Sequence, residues 1–352
     1  MSLSILIEID GGYGEGGGQI TRMAVALSAL TGKDVRIFNI RANRSNPGLA
    51  NQHMTSIRSV AAISNARVDN LHKGALEIRF LPGKLSGGDF RFDVGTAGSV
   101  TLVLQACLLP ALSSGRICRI SIVGGTDVRW SPPWDYFEHV FLPVLRRMGG
   151  EVNAEVVRRG YYPKGGGRIR VTVNPIMELR ALELPRLPSV ERIEGFLHVG
   201  NLPDHILHRM EGVLTKLQTL AETEIRAEKL DRDRATGQGG AVVLSTFAGD
   251  VVLGSDAIAE RGIRAELVAQ EAMDTLLLET RAGATADVHL SDQILPYLAI
   301  ADGPSEIIVR EISGHTKTHM WLLEEFLDVT FRTIKVDKKW RIEVEPSRTW
   351  RA

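Results

Sequence analysis

The chain predicts a mixed α/β (α+β) fold in which three repeated βαβαββ-like units build a large domain and a smaller α/β domain is inserted. Three observations predict it. One order of elements recurs three times: a glycine-led or polar start opens an apolar helix, a short β-branched strand follows, then a polar turn motif, a second helix and one or two more strands. The second and third recurrences are separated by a segment, 184–282, with a strand–helix pattern of its own. At 352 residues, 44% hydrophobic and 24% charged, the chain has an ordinary globular composition and the length for more than one core. The expected division is 1–183 with 283–352 as the large domain and 184–282 as the insert.

Each element follows from local pattern. The start, Ser4-Ile5-Leu6-Ile7, lacks a basic region and a small-residue cleavage site, so it reads as a strand and not as a signal peptide. In the first unit, Gly18-Gln19-Ile20 opens a helix to about Leu30, a strand covers Val35 to Ile40, and a second helix runs from near Asn51 to Ser64. In the second unit, Gly98-Ser99-Val100 opens a helix to about Leu112 and a strand covers Arg119 to Val123. Its second helix starts after Pro132-Pro133, proline being suited to the first helical position. In the third, Leu290-Ser291-Asp292 opens a helix to about Ala301, a strand covers Glu306 to Val309, and the second helix starts at Ser313-Gly314-His315. The insert is expected to hold strands over 193–199 and 241–247 and helices over 205–220 and 264–277, with Asp231 to Gly240 as a mobile loop.

Composition excludes several classes. The longest apolar run, Val100 to Leu112, is too short to span a bilayer and is interrupted by Thr101 and Gln105, so no membrane association is expected. Cys107 and Cys118 have the spacing of neither a metal site nor a disulfide framework, which suits a reducing, cytoplasmic setting. The formal net charge of zero argues against coating nucleic acid by bulk electrostatics. Locally the balance shifts: no acidic residue lies between Asp34 and Asp69, where Arg36, Arg41, Arg44, Arg58 and Arg67 all fall. Such a basic surface on a neutral protein suits capture of one polyanionic end or a nucleotide.

Candidate chemistry gathers at the helix starts. Gly12, Gly14 and Gly17 complete a G-x-G-x-x-G pattern within the run Asp10 to Gln19. Glu15 inside that loop would repel a pyrophosphate, and the next strand leads to Arg41 and Arg44 and not to an acid for a ribose, both against a dinucleotide fold. A P-loop is excluded because no G-x-x-x-x-G-K-[ST] occurs. A carboxylate among exposed amides makes better sense as a ligand for a divalent ion bound to a phosphate, which assigns Glu15 to metal. Arg22, Arg41, Arg44, Gln52 and His53 supply planar cations and donors for a terminal phosphate. Gln105 on an apolar helix needs a partner that a ligand would supply. Pro132-Pro133-Trp134-Asp135-Tyr136 offers a rigid turn with flat rings. His315, at a glycine-led helix start, presents a ring nitrogen beside free amides.

These residues, in this order, resemble the RNA 3′-terminal phosphate cyclases. The likeness runs through Asp10 to Arg22, Ile40 to Leu49, Gln52-His53, Gly95 to Ser99, Gly124 to Asp127, Tyr162-Pro163-Lys164-Gly165-Gly166-Gly167, Ser291-Asp292-Gln293 and Gly314-His315-Thr316. It implies an ATP-dependent enzyme that converts an RNA 3′-terminal phosphate to a 2′,3′-cyclic phosphate. In it His315 would become adenylated by ATP and pass AMP to the RNA end. Gln105, Pro132, Tyr136, His289, Leu290, Ser291, Asp292 and Gln293 would surround the adenosine. Arg22, Arg41, Arg44, Gln52 and His53 would face phosphates of ATP or of the RNA end, and Glu15 would hold a divalent ion, Mg2+ or Mn2+. The partners implied are ATP and an RNA 3′-phosphate end, and a homodimer is compatible. His319 stands where some members carry Asn, and His289 where some carry a Tyr that stacks on adenine. A branch of the same family lacks the histidine and serves ribosomal RNA maturation; the Gly314-His315-Thr316 setting with Glu15 and Arg22 favours the enzyme over that branch.

Overall fold

A computed structural model describes residues 6–348 and 350. The first unit comprises β1 (Leu6–Asp10), α1 (Gly18–Thr31), β2 (Asp34–Phe38), α2 (Asn51–Ser64), β3 (Arg67–Asp69) and β4 (Ile78–Leu81). Its sheet runs β1-β2-β4-β3, with β1 and β2 parallel and the other pairs antiparallel. A parallel pair requires a crossover, and α1 is that crossover. The helix stops where Gly32 turns left-handed, φ 69°, and α2 stops at Asn65 in the same way, φ 49°.

The second unit repeats this plan. It comprises β5 (Gly88–Asp93), α3 (Val100–Leu112), β6 (Cys118–Gly124), a composite helix over 134–147, β7 (Val152–Gly160) and β8 (Gly167–Val173). Its sheet runs β5-β6-β8-β7, again with the first pair parallel. The composite helix is α4 (Trp134–Tyr136), a π-helical turn (Phe137–Phe141) and α5 (Leu142–Arg147).

Between 184 and 282 lie β9 (Arg192–Gly200), α6 (Asp204–Leu214), β10 (Glu222–Leu230), β11 (Ala235–Thr236), β12 (Gly239–Ala248), β13 (Val251–Ile258) and α7 (Ala265–Ala282). Their four-stranded sheet runs β10-β9-β12-β13. Both faces are covered. Ser255 on β13 donates to the Ala272 carbonyl of α7, while its neighbour Gly254 has no room for a Cβ against Val140 and Tyr136 of the composite helix. Apolar burial is accordingly continuous from these strands into the rest of the molecule. The segment 231–240, expected to be a mobile loop, is tied down. β11 pairs with β7, and Asn201 donates to the carbonyls of Ala235 and Gly237. The helix expected to reach Leu220 tightens to a 3₁₀ turn at Thr215.

The third unit comprises α8 (Val288–Leu298), β14 (Ser305–Val309), α9 (Gly314–Phe326), β15 (Thr330–Val336) and β16 (Lys339–Glu345), with sheet order β14-β16-β15. The place held by β1 and β5 in the other units is taken by residues 179–183. They bridge in parallel to Ala301 and Glu306. The third unit is therefore split in sequence by the whole of 184–282, a split the periodicity did not reveal. No helix among the described residues is long and apolar enough to cross a membrane.

A candidate active site where five helix starts meet

Four side-chain contacts link the N-terminal ends of five helices in a row. Gln52 of α2 accepts from the Ser99 amide at the head of α3 (2.7 Å). His53 of α2 lies against Gly18 of α1. Gln19 of α1 bonds to His315 of α9, and Ser291 of α8 bonds to Thr316 of α9 (3.0 Å). Each helix start carries the positive end of a dipole, so together they make an anion-attracting floor.

His315 stands on the first turn of α9, which Ser313 caps by accepting from the Thr316 amide (3.0 Å). Its ring is half exposed. Gln19 fixes it from behind. The Gln19 Nε2 donates to the His315 carbonyl (3.1 Å), so the amide oxygen is the atom 2.5 Å from His315 Nδ1. That oxygen is only an acceptor, so Nδ1 carries the proton and Nε2 keeps its lone pair. Burial holds the imidazole pKa below its ordinary value; Glu15 opposes this, while Arg22, Arg44 and His289 add to it. The ring is therefore neutral at physiological pH, with Nε2 toward the Glu15 carboxylate at 3.4 Å.

The glycine loop places that carboxylate. Tyr13 stacks on Trp321 of α9, with ring centroids 3.9 Å apart, and Arg44 approaches Glu15 to 3.7 Å. Beside it, a Cβ on Gly18 would lie 2.1 Å from His53 Nε2 and 3.0 Å from Arg22 Nη1, so only glycine admits both groups to the head of α1. His53 has the tautomer opposite to that of His315. Its Nδ1 accepts from the Ala50 amide (3.0 Å), leaving Nε2–H as a donor. Burial, with Arg22 and Arg41 adding, pushes its pKa down to about 3, so it donates as a neutral group. Burial also lowers Arg22, to about 10, with Asp292 opposing; the guanidinium stays charged. Arg41 has a left-handed backbone, φ 54°, and donates to the Gly48 carbonyl (2.8 Å). Of the remaining arginines in the acid-free stretch, Arg36 pairs with Glu8 and Glu77, and Arg67 with Asp69.

Glu15 is the carboxylate placed at His315 Nε2, which fits Mg2+-type binding, where one carboxylate and substrate phosphates share the ion. It does not fit an all-protein cage. A denser set, Asp127, Asp135 and His198, lies elsewhere and is fully buried. Arg159 occupies it, 3.2 Å from Asp127 and 2.6 Å from Asp135, holding the place of a cation.

Across α3 and α8 the expected adenosine residues divide. Gln105 donates to Gln293 (2.7 Å), and Thr101 ties the Pro132 carbonyl to α3 (2.8 Å). His289 is exposed, its ring edge-on to Tyr136. Tyr136 itself corrects the expectation: it is fully buried, and its hydroxyl donates to Asp287 (2.6 Å). That bond ties the ring to the head of α8. Leu290 and Ser291 are likewise buried, so they could offer a ligand no exposed side chain. Asp292 faces Gln19 at 3.5 Å, and burial raises its carboxyl to about 7; Asp287 adds to this, and His289 and Arg22 oppose it. His319 is buried and neutral, lowered to about 4 chiefly by burial, and its Nδ1–H donates to the Asp292 carbonyl (2.5 Å). An Asn side chain would make the same donation. Sequence inspection missed Gln19 as a functional residue. The available signal was an amide on the first turn of an uncapped, glycine-led helix.

Comparison with known proteins followed the same lines. A family profile described as RNA 3′-terminal phosphate cyclase matches residues 13–333. A relative in Nitrosospira multiformis named RNA 3′-terminal phosphate cyclase is 49% identical, over 96% of both chains. Relatives of the same name in Archaeoglobus fulgidus and Methanopyrus kandleri are 47% and 45% identical, each over 92% of this chain and over 96% and 94% of their own. A crystal structure of the enolpyruvyl transferase NikO from Streptomyces tendae matches with a TM-score of 0.26 and 12% identity, over 98% of this chain and 66% of that one. A likeness so slight carries no argument.

Proposed function

The chain belongs to the RNA 3′-terminal phosphate cyclase family, and from that premise we propose that it is an ATP-dependent cyclase working through a histidine–adenylate on His315. The neutral imidazole attacks the α-phosphorus of ATP through Nε2; an N–P bond forms and pyrophosphate leaves. An oxygen of the RNA 3′-phosphate then attacks the same phosphorus, the N–P bond breaks, and RNA(3′)pp(5′)A results. The neighbouring 2′-OH attacks the RNA phosphate, AMP leaves, and a 2′,3′-cyclic phosphate remains.

The observation that carries this is the Gln19–His315 pair, which fixes the tautomer a nucleophilic Nε2 requires. Arg22, Arg44 and His53 Nε2–H, with the free amides of α1 and α9, bind and orient phosphate oxygens. Glu15 would hold a divalent ion, Mg2+ or Mn2+, that offsets charge on the phosphates. Gln105, Gln293, Pro132 and the exposed ring of His289 would bound the adenosine, while Gln52 and Arg41 order the loops beside it. Incubation with α-labelled ATP and a divalent metal, followed by denaturing electrophoresis, tests the proposal. An acid-labile, alkali-stable label is expected on the wild type and none on His315→Ala. No label on the wild type with any metal overturns the mechanism and favours the non-catalytic RNA-processing branch.

A further inference from the structure

The sequence of 184–282 shows no aromatic-rich basic face, yet the fold sets its basic residues beside a second segment. A cavity of about 820 Å³ opens where the end of β7 and the turn Tyr161–Gly165 meet the stretch from β10 to β11. Arg158, Lys164, Lys229 and Arg232 line it. Lys229 is paired with Asp204, whereas Arg158 donates to the Arg232 carbonyl (2.7 Å) and has no ion-pair partner among the described residues. Lys164 and Arg232 are exposed. Asp231, the one lining carboxylate, is turned into its own loop, where it accepts from the amides of Asp233 and Arg234. The concavity is therefore cationic and braced: β11 is bonded to β7, and Asn201 holds the loop above it. Tyr162, at the tip of the turn, is 77% exposed.

The turn beside the cavity also packs on a loop that leads toward the phosphate pocket. A Cβ on Gly165 would fall 2.6 Å from the Thr96 carbonyl and 2.8 Å from the Ala97 Cα, so the turn lies directly on the 95–98 loop. That loop leads into Ser99, held by Gln52, the neighbour of His53 in the phosphate pocket.

We infer that this groove binds the single-stranded RNA upstream of the reacting end, with phosphodiesters on Lys164, Arg158 and Arg232 and a base on Tyr162. A cationic groove with an exposed aromatic on the adjoining turn is what sequence-tolerant binding of a single strand uses. The inference rests on the cyclase proposal for its substrate but uses residues outside the catalytic cluster.

The test compares the wild type with Lys164→Glu/Arg232→Glu. Three readouts are taken: adenylation by ATP alone, KM for a 3′-phosphorylated dinucleotide, and KM and fluorescence anisotropy for a 3′-phosphorylated RNA of about 20 nucleotides. Adenylation and the dinucleotide KM should be unchanged, which also certifies the variant's fold. The long-RNA KM should rise about tenfold at low salt, and its log–log salt slope should fall by about 1.4, at about 0.7 for each lost contact. The milder Lys164→Gln should show the same sign with about half the slope change. Equal affinity of wild type and variant for the long RNA overturns the groove even if cyclisation proceeds. Absence of wild-type adenylation overturns the cyclase mechanism, while anisotropy still decides whether the groove holds RNA.

Discussion

Two neutral histidines with opposite tautomers divide the work at the helix starts. His315 offers a lone pair because an amide oxygen takes its Nδ1 proton, and His53 offers a proton because a backbone amide takes its Nδ1 lone pair. Since the neutral form of His315 is the nucleophile and its pKa is lowered, the rate of AMP labelling should stay level through neutrality. It should fall only when acidification passes below the ordinary histidine range. Gln19→Glu places a carboxylate against Nδ1–H, favours the imidazolium and should move that acid limb to higher pH. Gln19→Leu removes the acceptor and should slow labelling roughly 100-fold with little change in KM for ATP. Initial rates from about pH 5 to pH 8 check both, because a merely structural loss would not move the limb. His315, Arg22 and His53 were readable as candidates at helix starts, Glu15 in the glycine run and Arg44 in the turn before α2. Gln19 was not, because its partner lies 296 positions away and neither residue's local pattern points to the other.

At the level of elements, Asp287 joins three parts of the chain. It caps α8 by accepting from the His289 and Leu290 amides (3.0 and 2.9 Å), accepts from Tyr136 in the composite helix (2.6 Å), and accepts from the Gly254 amide of β13 (2.8 Å). Asp287→Ala would strand several buried donors and should cost about 2–4 kcal/mol in urea unfolding. Tyr136→Phe should cost about 1–2 kcal/mol and leave KM for ATP unchanged, an outcome that separates a residue holding α8 from one touching nucleotide. Helix starts at Asn51 and after Pro133 were readable because their signals are local. The π turn at Phe137–Phe141 and the pinning of 231–240 were not: one lies mid-helix with no local signal of its own, and the other depends on β7, distant in sequence.

Across the molecule, the three-unit plan was visible in periodicity, but the bridging segment 179–183 was hidden because the helix of its unit comes a hundred residues later. Second unit and interposed sheet are bound by a buried network in which Arg159 and His198 face Asp127 and Asp135, and Tyr161 bonds to His198 Nδ1 (2.9 Å). Arg159→Met leaves two buried carboxylates facing His198 alone and should cost about 3–5 kcal/mol. Burial and Arg159 press the His198 pKa down, but the two carboxylates outweigh them and raise it. A raised folded pKa stabilises fully below the unfolded value and is lost as pH climbs through the folded one. The Tm advantage of wild type over His198→Gln should thus be greatest in mild acid and shrink as pH rises. The order of the units has a further consequence during synthesis. α1, with Gln19, leaves the ribosome first, and α9, with His315, is the last helix of the described chain to emerge. Until α9 has emerged, Gln19 and the glycine loop lack His315 and Trp321, so this side of the site is assembled only once both distant segments have been made.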